Sequence, residues 1–408
     1  MDIKEMYKKW TSYSLALRIV CGLAIGLVLG LLIPGLPYVR LLGTAFIAAL
    51  TAVAPVLIFL IIVTSLISRS ERIGGRMKYV IILYFLSCIV ATVVATVLYF
   101  IDPVTVTLPA VEDGGSVTSF EEFLEQIILS ILVNPFSALA EANYLGILFW
   151  AILIGIFMRP FASITTVEIC KDGTDILLKL ISIFIQFAPI GMIGLVYNSV
   201  TEYGIQVFGE YGALIAVIVA AMALVMFVFN PLIVYIFGRK NPYPLLFRCI
   251  KDSAVTAFFT RSSAANIPVN LDLCSKLGLD KQFYTTSIPL GSAINMCGSA
   301  ATITIMALAA ANSVGIDISI GEAIVLCFIC VLCACGTSGV AGGSILLIPM
   351  ACSILGVPGD AAVAMMSIGF VIGVVTDSCG TALNSSSDVL FTATVDGMGI
   401  DDESDRSG

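Results

Sequence analysis

Residues 377–388 read Asp377-Ser-Cys-Gly-Thr-Ala-Leu-Asn384-Ser-Ser-Ser-Asp388 and follow the apolar run 361–376. That run places two carboxylates at membrane depth. A helix advances about 100° and about 1.5 Å per residue, so Asn384 and Asp388 return to within about 20° of Asp377, and Thr381 lies about 40° away. One face of the helix therefore carries carboxylate, hydroxyl, amide and carboxylate in a row. A carboxylate in hydrocarbon is costly, so such residues face a protein interior and mark a substrate or ion path. A polar helix packed against others, or one wall of a water-filled cavity, is the plainer reading. Four ligand-capable groups on one stripe exceed what packing needs.

Outward from this stretch, the chain is 59% hydrophobic and 12% charged over 408 residues, with mean hydropathy +1.06. No soluble domain needs so much apolar surface, and several apolar runs are long enough to cross a bilayer as helices. The expectation is an all-α, polytopic protein embedded in the lipid bilayer. The net charge of −8 brings no basic footprint for nucleic acid. The absence of histidine excludes Ser-His and Cys-His pairs, His-ligated haem and the common zinc sites. The 12 cysteines lie mostly inside apolar runs and imply no disulfide framework. Cys327, Cys330, Cys333 and Cys335 sit among Phe328, Ile329, Val331 and Leu332, where cysteine behaves as a small hydrophobe. The run 14–34 is too long for the core of a signal peptide and reads as a retained first helix.

Apolar windows predict spans at about 14–34, 40–68, 78–101, 127–158, 174–200 and 207–238. Then the rhythm changes. Residues 243–272 break at Thr260-Arg-Ser-Ser-Ala-Ala-Asn-Ile-Pro268, and 284–314 at Asn295-Met-Cys-Gly-Ser299. Residues 320–357 break at Cys335-Gly-Thr-Ser-Gly-Val-Ala-Gly-Gly-Ser344, and a last span covers about 360–394. With the N-terminus in the cytoplasm, the basic residues from Lys4 through Arg69, Arg72, Arg159, Arg239 and Arg248 to Lys281 fall inside. Asp102, Glu112, Glu121, Glu202 and Glu210 fall outside, with Arg40 the one basic residue there. The acidic tail 401–405 then lies in the cytoplasm.

In this scheme the segments around Ser262 and Gly339 enter and leave on the same side, the first from the cytoplasm and the second from outside. Glycine-rich, polar backbone at membrane depth is tolerated where it is buried in protein or lines a cavity. Paired interrupted segments of opposite polarity point to an inverted-repeat transporter with its site at the midplane. Hairpin tips expose N–H groups that attract a carboxylate. An aspartate holds an ammonium, and freed carbonyls with a second carboxylate suit Na⁺. Glycines at a tip permit the hinge motion of a gate. Arg261 is open to two readings, a substrate ligand or a tip residue that pairs with a nearby acid or faces cytoplasmic water. The repeat Gly22-x3-Gly26-x3-Gly30 reads as a helix contact without functional weight.

The 260–268 stretch, Ile288-Pro-Leu-Gly-Ser-Ala-Ile-Asn-Met296, Gly336-Thr-Ser-Gly-Val340 and Asp377-x6-Asn384-x3-Asp388 together resemble the dicarboxylate/amino acid:cation symporter family, which includes the glutamate transporters. The likeness covers nearly the whole chain, is strongest from about residue 250, and is greatest to the bacterial serine/threonine–sodium branch. It implies eight transmembrane helices and two re-entrant helical hairpins of opposite polarity, a homotrimer, and elevator motion of a transport domain against a scaffold. The domains it implies are mainly scaffold at 1–77 and 127–238, a third helix and outer loop at 78–126, and a transport domain at 239–394. Within the last lie hairpin 1 (about 243–272), helix 7 (284–314), hairpin 2 (320–357) and helix 8 (360–394), followed by a cytoplasmic tail at 395–408.

By the same resemblance Ser262, Ser263, Ser299, Gly339, Val340, Asp377, Gly380, Thr381 and Asn384 belong to the substrate site, with Asp377 on the substrate ammonium. Gly336, Gly339, Gly342 and Gly343 belong to the gate. One Na⁺ is assigned to Asp388 with carbonyls near Gly291, Asn295 and Asn384. A second is assigned to Ala293, Met296, Ala334, Cys335 and Thr337.

Two departures from the acidic-amino-acid transporters are informative. Their arginine three residues after the ammonium-binding aspartate is here Gly380, so an acidic substrate would keep an unpaired charge. Their Asn-Met-Asp-Gly reads Asn295-Met-Cys-Gly298, which removes a carboxylate ligand and implies fewer coupled Na⁺ ions. The expectation is Na⁺-coupled import of serine and threonine across a bacterial inner membrane, without catalytic residues or a cofactor. The alternatives are another small neutral amino acid such as alanine, a dicarboxylate, a channel, or an intramembrane protease. The last is opposed by the missing histidine and by about 16 Å between Asp377 and Asp388 along the helix.

Overall fold

The computed structural model describes residues 15–67, 75–108, 128–129, 131–335 and 342–398, which are helical and contain no strand among the described residues. The helices are α1 (Leu15–Leu32), α2 (Pro37–Ile67), α3 (Gly75–Ile101), α4 (Pro135–Ala140), α5 (Tyr144–Met158), α6 (Ile164–Gln186) and α7 (Ala188–Tyr203). They continue as α8 (Val207–Gly238), α9 (243–260), α10 (Ser263–Lys276), α11 (Lys281–Ile294), α12 (Cys297–Ser313), α13 (Ile320–Cys335), α14 (Ile348–Ile354) and α15 (Gly359–Asp396). Among the described residues, five stretches are long and apolar enough to cross a membrane: Pro37–Thr64, Gly75–Ile101, Val207–Gly238, Lys281–Ser313 and Gly359–Asp396. This is a multi-pass membrane protein.

Two expected spans are not single helices. The span expected at 174–200 is the pair α6 and α7, bent by 59° at Phe187. Pro189 has no N–H and its ring opposes the carbonyl one turn back, so one helix stops and another starts. The span expected at 127–158 contains α4 and α5. Asn134 Oδ1 accepts from the N–H groups of Phe136 and Ser137, and Asn143 Oδ1 from Gly146 N, each side chain capping a new helix.

One group of helices is built on absent side chains. A Cβ on Gly22 would strike the Pro189 carbonyl, one on Gly26 would lie 2.5 Å from Ile193 O, and one on Gly30 3.0 Å from Val200. Thus α1 lies backbone to backbone against α7. Gly43 of α2 meets the same helix: a Cβ there would lie 2.7 Å from Leu195 N and 2.8 Å from the Gly194 carbonyl carbon. The glycine repeat of the first helix is a packing device, as its spacing indicates.

The other group surrounds α15, whose residues 380–392 are buried on every side. It is packed by α3, α8, hairpin limbs α9 and α10, α11, α12 and α14. The side of α8 is fixed by Asn230, whose Oδ1 accepts from Ser87 Oγ of α3 at 2.8 Å. Two π turns, Val225–Phe229 in α8 and Ile250–Ala254 in α9, interrupt helices of this group. Such turns shift side-chain register and recur at functional sites. Where the two groups meet, a groove of about 380 Å³ opens between Thr44 and Asn198 on one side and Asp360 and Ser367 on the other.

A buried polar face between two hairpins

The tip of the first hairpin is short. Helix α9 ends at Thr260, Arg261 adopts a left-handed conformation (φ 54°, ψ 28°) with its N–H on Ala257 O, and α10 begins at Ser263. Ser262 is the N-cap, its Oγ accepting from Ala265 N at 3.2 Å, and Ser263 is buried. The left-handed residue turns the arginine toward α15. Its Nε and Nη2 donate to Asp377 Oδ2 at 3.3 and 3.0 Å, and Nη2 also donates to Gly373 O at 3.2 Å. Both partners of the ion pair are about nine-tenths buried. The third donor to Asp377 comes from the other hairpin: Gly342 N reaches Oδ2 at 3.1 Å. Gly342 has φ 77°, a region open to glycine, which aims its N–H at the carboxylate. Arg261 thus pairs with a nearby acid, as one of its two readings has it.

Below Asp377 the stripe is engaged differently at each step. Thr381 Oγ1 donates to Asp377 O in its own helix at 2.7 Å. Asn384 Oδ1 accepts from Gly298 N at 2.7 Å, and its Nδ2 faces Met296 Sδ at 3.3 Å. The break expected at 295–299 is present: Asn295 ends α11 (φ −87°, ψ 70°) and Met296 precedes α12. Freed from helical geometry, Asn295 Nδ2 donates to Asn384 O, Ser387 Oγ and Asp388 Oδ1 at 3.2, 2.7 and 2.9 Å. Asp388 is wholly buried, and among the described residues its Oδ2 has no hydrogen-bond partner; nor does the buried Oδ1 of Asn295. Orphaned buried oxygens are rare because each costs about 1–3 kcal/mol. Two hard oxygen donors on adjoining elements fit an alkali cation. Gly291 is required here, because a Cβ would lie 2.6 Å from Asp388 Oδ1.

The other expected residues divide into groups. Met296 and Ala334 form a small apolar cluster with Ala300. Cys335 Sγ lies 3.5 Å from Ile294 O, Ser299 is half-buried and Ala293 is exposed. Gly343 is half-buried beside Gly342. Gly336, Thr337, Gly339 and Val340 lie outside the described residues. Cys333 packs its thiol on Met350 Sδ at 3.5 Å, in keeping with cysteine as a small hydrophobe.

Gly380 is a point of close approach. A Cβ on Gly298 would lie 2.5 Å from Gly380 Cα, so α12 and α15 touch through two glycines. A Cβ on Gly380 would meet Met222 Cε of α8 at 3.2 Å. Arginine is thus absent from position 380, and the space beside it is partly taken by Met222.

Several participants escaped the sequence reading. Tyr84 Oη bonds with Ser287 O at 3.2 Å and Thr392 Oγ1 at 3.1 Å, behind Asp388. Asn266 and Asn270 of α10 bind Ser385 Oγ at 2.8 and 3.2 Å, and Ser253 Oγ reaches Asn270 Oδ1 at 2.5 Å. The available signal was polar residues inside apolar runs: Tyr84 and Ser87 one turn apart, and Asn266 and Asn270 four apart.

The described residues are helical, cross a membrane several times and bring the turn at Arg261 and the Gly342 N–H to one polar internal helix. Together with the family that the chain matches, this is a membrane transporter, not an enzyme. Residues 15–398 match the sodium:dicarboxylate symporter family, and the chain belongs to it. A serine/threonine transporter of Streptococcus agalactiae serotype III is 46% identical over 393 residues, covering 96% of this chain and 98% of that protein. Another, from Bifidobacterium adolescentis, is 46% identical over 384 residues, covering 94% and 89%. A third, from Streptococcus thermophilus, is 43% identical over 393 residues, covering 96% and 98%.

Proposed function

We propose that this chain imports serine and threonine together with Na⁺. One observation carries the reading: a single buried helix face holds two carboxylates with different partners. Asp377 lies between the hairpins and is held by donors that a substrate ammonium can replace. Asp388 is sealed inside with one oxygen unpartnered. An ammonium ends at the first and a desolvated Na⁺ at the second, so each cargo neutralises its own carboxylate. The first turn of α10, at Ser262 and Ser263, faces the same region with helix-terminal N–H groups suited to the substrate carboxylate. Gly380 leaves nothing to pair an acidic side chain, and the relatives' names give the substrate class.

In this reading the residues assigned by resemblance keep their roles: Ser299, Thr381 and Asn384 toward substrate, and Gly336, Gly339, Val340, Gly342 and Gly343 in the outer gate. The first Na⁺ takes Gly291, Asn295, Asn384 and Asp388, and the second Ala293, Met296, Ala334, Cys335 and Thr337. Eight spans and two re-entrant hairpins place both termini in the cytoplasm, in a bacterial inner membrane. The glycine-welded α1, α2 and α7 form the scaffold of a homotrimer, and the bundle around α15 travels as an elevator. The packing of α3 and α8 on that bundle favours their travelling with it.

Labelled serine uptake into proteoliposomes tests the proposal. An inward Na⁺ gradient is expected to drive accumulation, competed by threonine and not by aspartate. Equal uptake on a proton gradient without Na⁺ would overturn the coupling.

A further inference from the structure

We infer that Met222 sets the size limit of the substrate's side-chain compartment, because it occupies the space into which a side chain at position 380 would grow. The inference rests on the neutral-amino-acid reading above and deepens it. On α15, position 380 lies about 60° from Asp377 and about 40° from Asn384 around the helix axis. It therefore flanks the face assigned to the ammonium. A Cβ there would lie 3.2 Å from Met222 Cε and 3.5 Å from the Gly298 carbonyl carbon. Gly298 contributes only backbone, so Met222 is the side chain among the three nearest atoms, Met222 Cε and the Gly298 C and Cα. It is buried at 3% exposure on α8.

The placement of Met222 is held from beyond. The π turn Val225–Phe229 starts three residues later, and Asn230 after it is tied to Ser87 of α3. Methionine is unbranched and fills irregular gaps by changing rotamer. Beside a glycine it leaves a compartment that admits a short hydroxylated side chain and yields slightly for an added methyl. Shortening it lengthens the compartment by up to three heavy atoms. In an apolar pocket one methylene changes discrimination about 10–200-fold.

The test is initial-rate uptake of serine, threonine, valine and methionine by wild type, Met222→Ala and Met222→Phe in proteoliposomes. In Met222→Ala the kcat/KM for valine and methionine relative to serine is expected to rise about 10-fold or more, mainly through KM. Met222→Phe is expected to lose threonine before serine. A transport-competent Met222→Ala whose ratios stay within about twofold of wild type would overturn the inference. If Met222→Ala does not insert, Met222→Val is read the same way. A second arm uses Gly380→Ala, whose methyl meets Met222. It is expected to raise serine KM in wild type and to do so less in Met222→Ala; strict additivity would overturn the contact's role. Wild type that takes up another neutral amino acid but not serine would overturn the substrate assignment alone, because the size ratios are still read on that substrate.

Discussion

Asp377 and Asp388 lie eleven residues apart on one helix and have opposite surroundings. Asp377 meets a guanidinium and a loop N–H, both supplied by hairpin tips. Asp388 meets one neutral amide from a helix break and keeps an oxygen unpartnered. Under the proposed function, this difference assigns the partner-exchanging role to Asp377 and the ion-binding role to Asp388. A carboxylate already neutralised by a side chain can trade that partner for a ligand without being left bare. One sealed away with an unpartnered oxygen has a position open to a cation in the proposed reading.

The sharpest way to break this comparison is to neutralise each end in turn. Asp388→Asn is expected to lower Na⁺-driven uptake by about 100-fold or more and to abolish Na⁺-dependent thermal stabilisation, since removing one partner of a buried charge pair costs about 3–5 kcal/mol. Asp377→Asn is expected to lose uptake to a similar degree while keeping the Na⁺ response of Tm. Loss of that response in both variants would show that the two ends are not separate sites.

Arg261→Ala tests the exchange directly. It leaves Asp377 buried without its cation, a loss of about 3–5 kcal/mol in the absence of substrate. Added serine is expected to raise Tm more in this variant than in wild type, because the ammonium then supplies the positive charge that the guanidinium gave. A smaller serine response than in wild type would break the argument. Gly298→Ala comes next. Its methyl would lie 2.5 Å from Gly380 Cα, backbone that cannot swing aside. Overpacking of this kind costs about 1–3 kcal/mol, seen as a lower Tm of the purified protein.

The smallest effect is at the end of the same helix bundle where α3 begins and α15 ends. Arg76 Nη2 donates to Asp280 Oδ2 at 2.6 Å and Nη1 to Asp396 Oδ1 at 3.1 Å, with its guanidinium 5.1 Å from the Phe283 ring. The hydrogen bond from Arg76 holds the Asp280 carboxyl below the usual carboxylate range. A lowered folded pKa stabilises the fold above the unfolded value near 3.9, and that contribution is lost as pH falls through the lowered value. Asp280 is 39% exposed on its side chain, so solvent screening limits the pair to about 1 kcal/mol or less. Asp280→Asn is expected to lower Tm slightly at pH 7, with the difference from wild type shrinking as pH falls below about 3.9.

What the sequence disclosed follows periodicity and breaks. The 377–388 stripe, the rupture at Asn295 and the short tip at Arg261 are local facts, fixed by helix spacing and by residues that end helices. The packing role of Gly22, Gly26 and Gly30 was legible for the same reason. Pairings across the fold were not legible. Arg261 reaches Asp377 across 116 residues, and Tyr84 reaches Thr392 across 308. Nothing in a helical period tells an arginine which of several acids it will meet. The bend at Phe187 was missed because hydropathy runs unbroken through it while Pro189 interrupts the hydrogen bonding beneath. Gly380 was read for the side chain it lacks; the neighbour that fills part of that space, Met222, is 158 residues earlier and chemically unremarked.

The glycine seam between α1 and α7 has a thermal consequence. A contact between two backbones has no rotamers to freeze and none to release on warming. Its spacing is set by van der Waals radii instead of by side chains that soften as the lipid does. Growth at Gly22 or Gly26 has nowhere to go, whereas a change on the exposed side of α1, at Val28, meets no such backbone. Across a range of growth temperatures the seam therefore keeps a constant clearance, so that temperature sensitivity in this protein is expected to arise elsewhere, where side chains interlock.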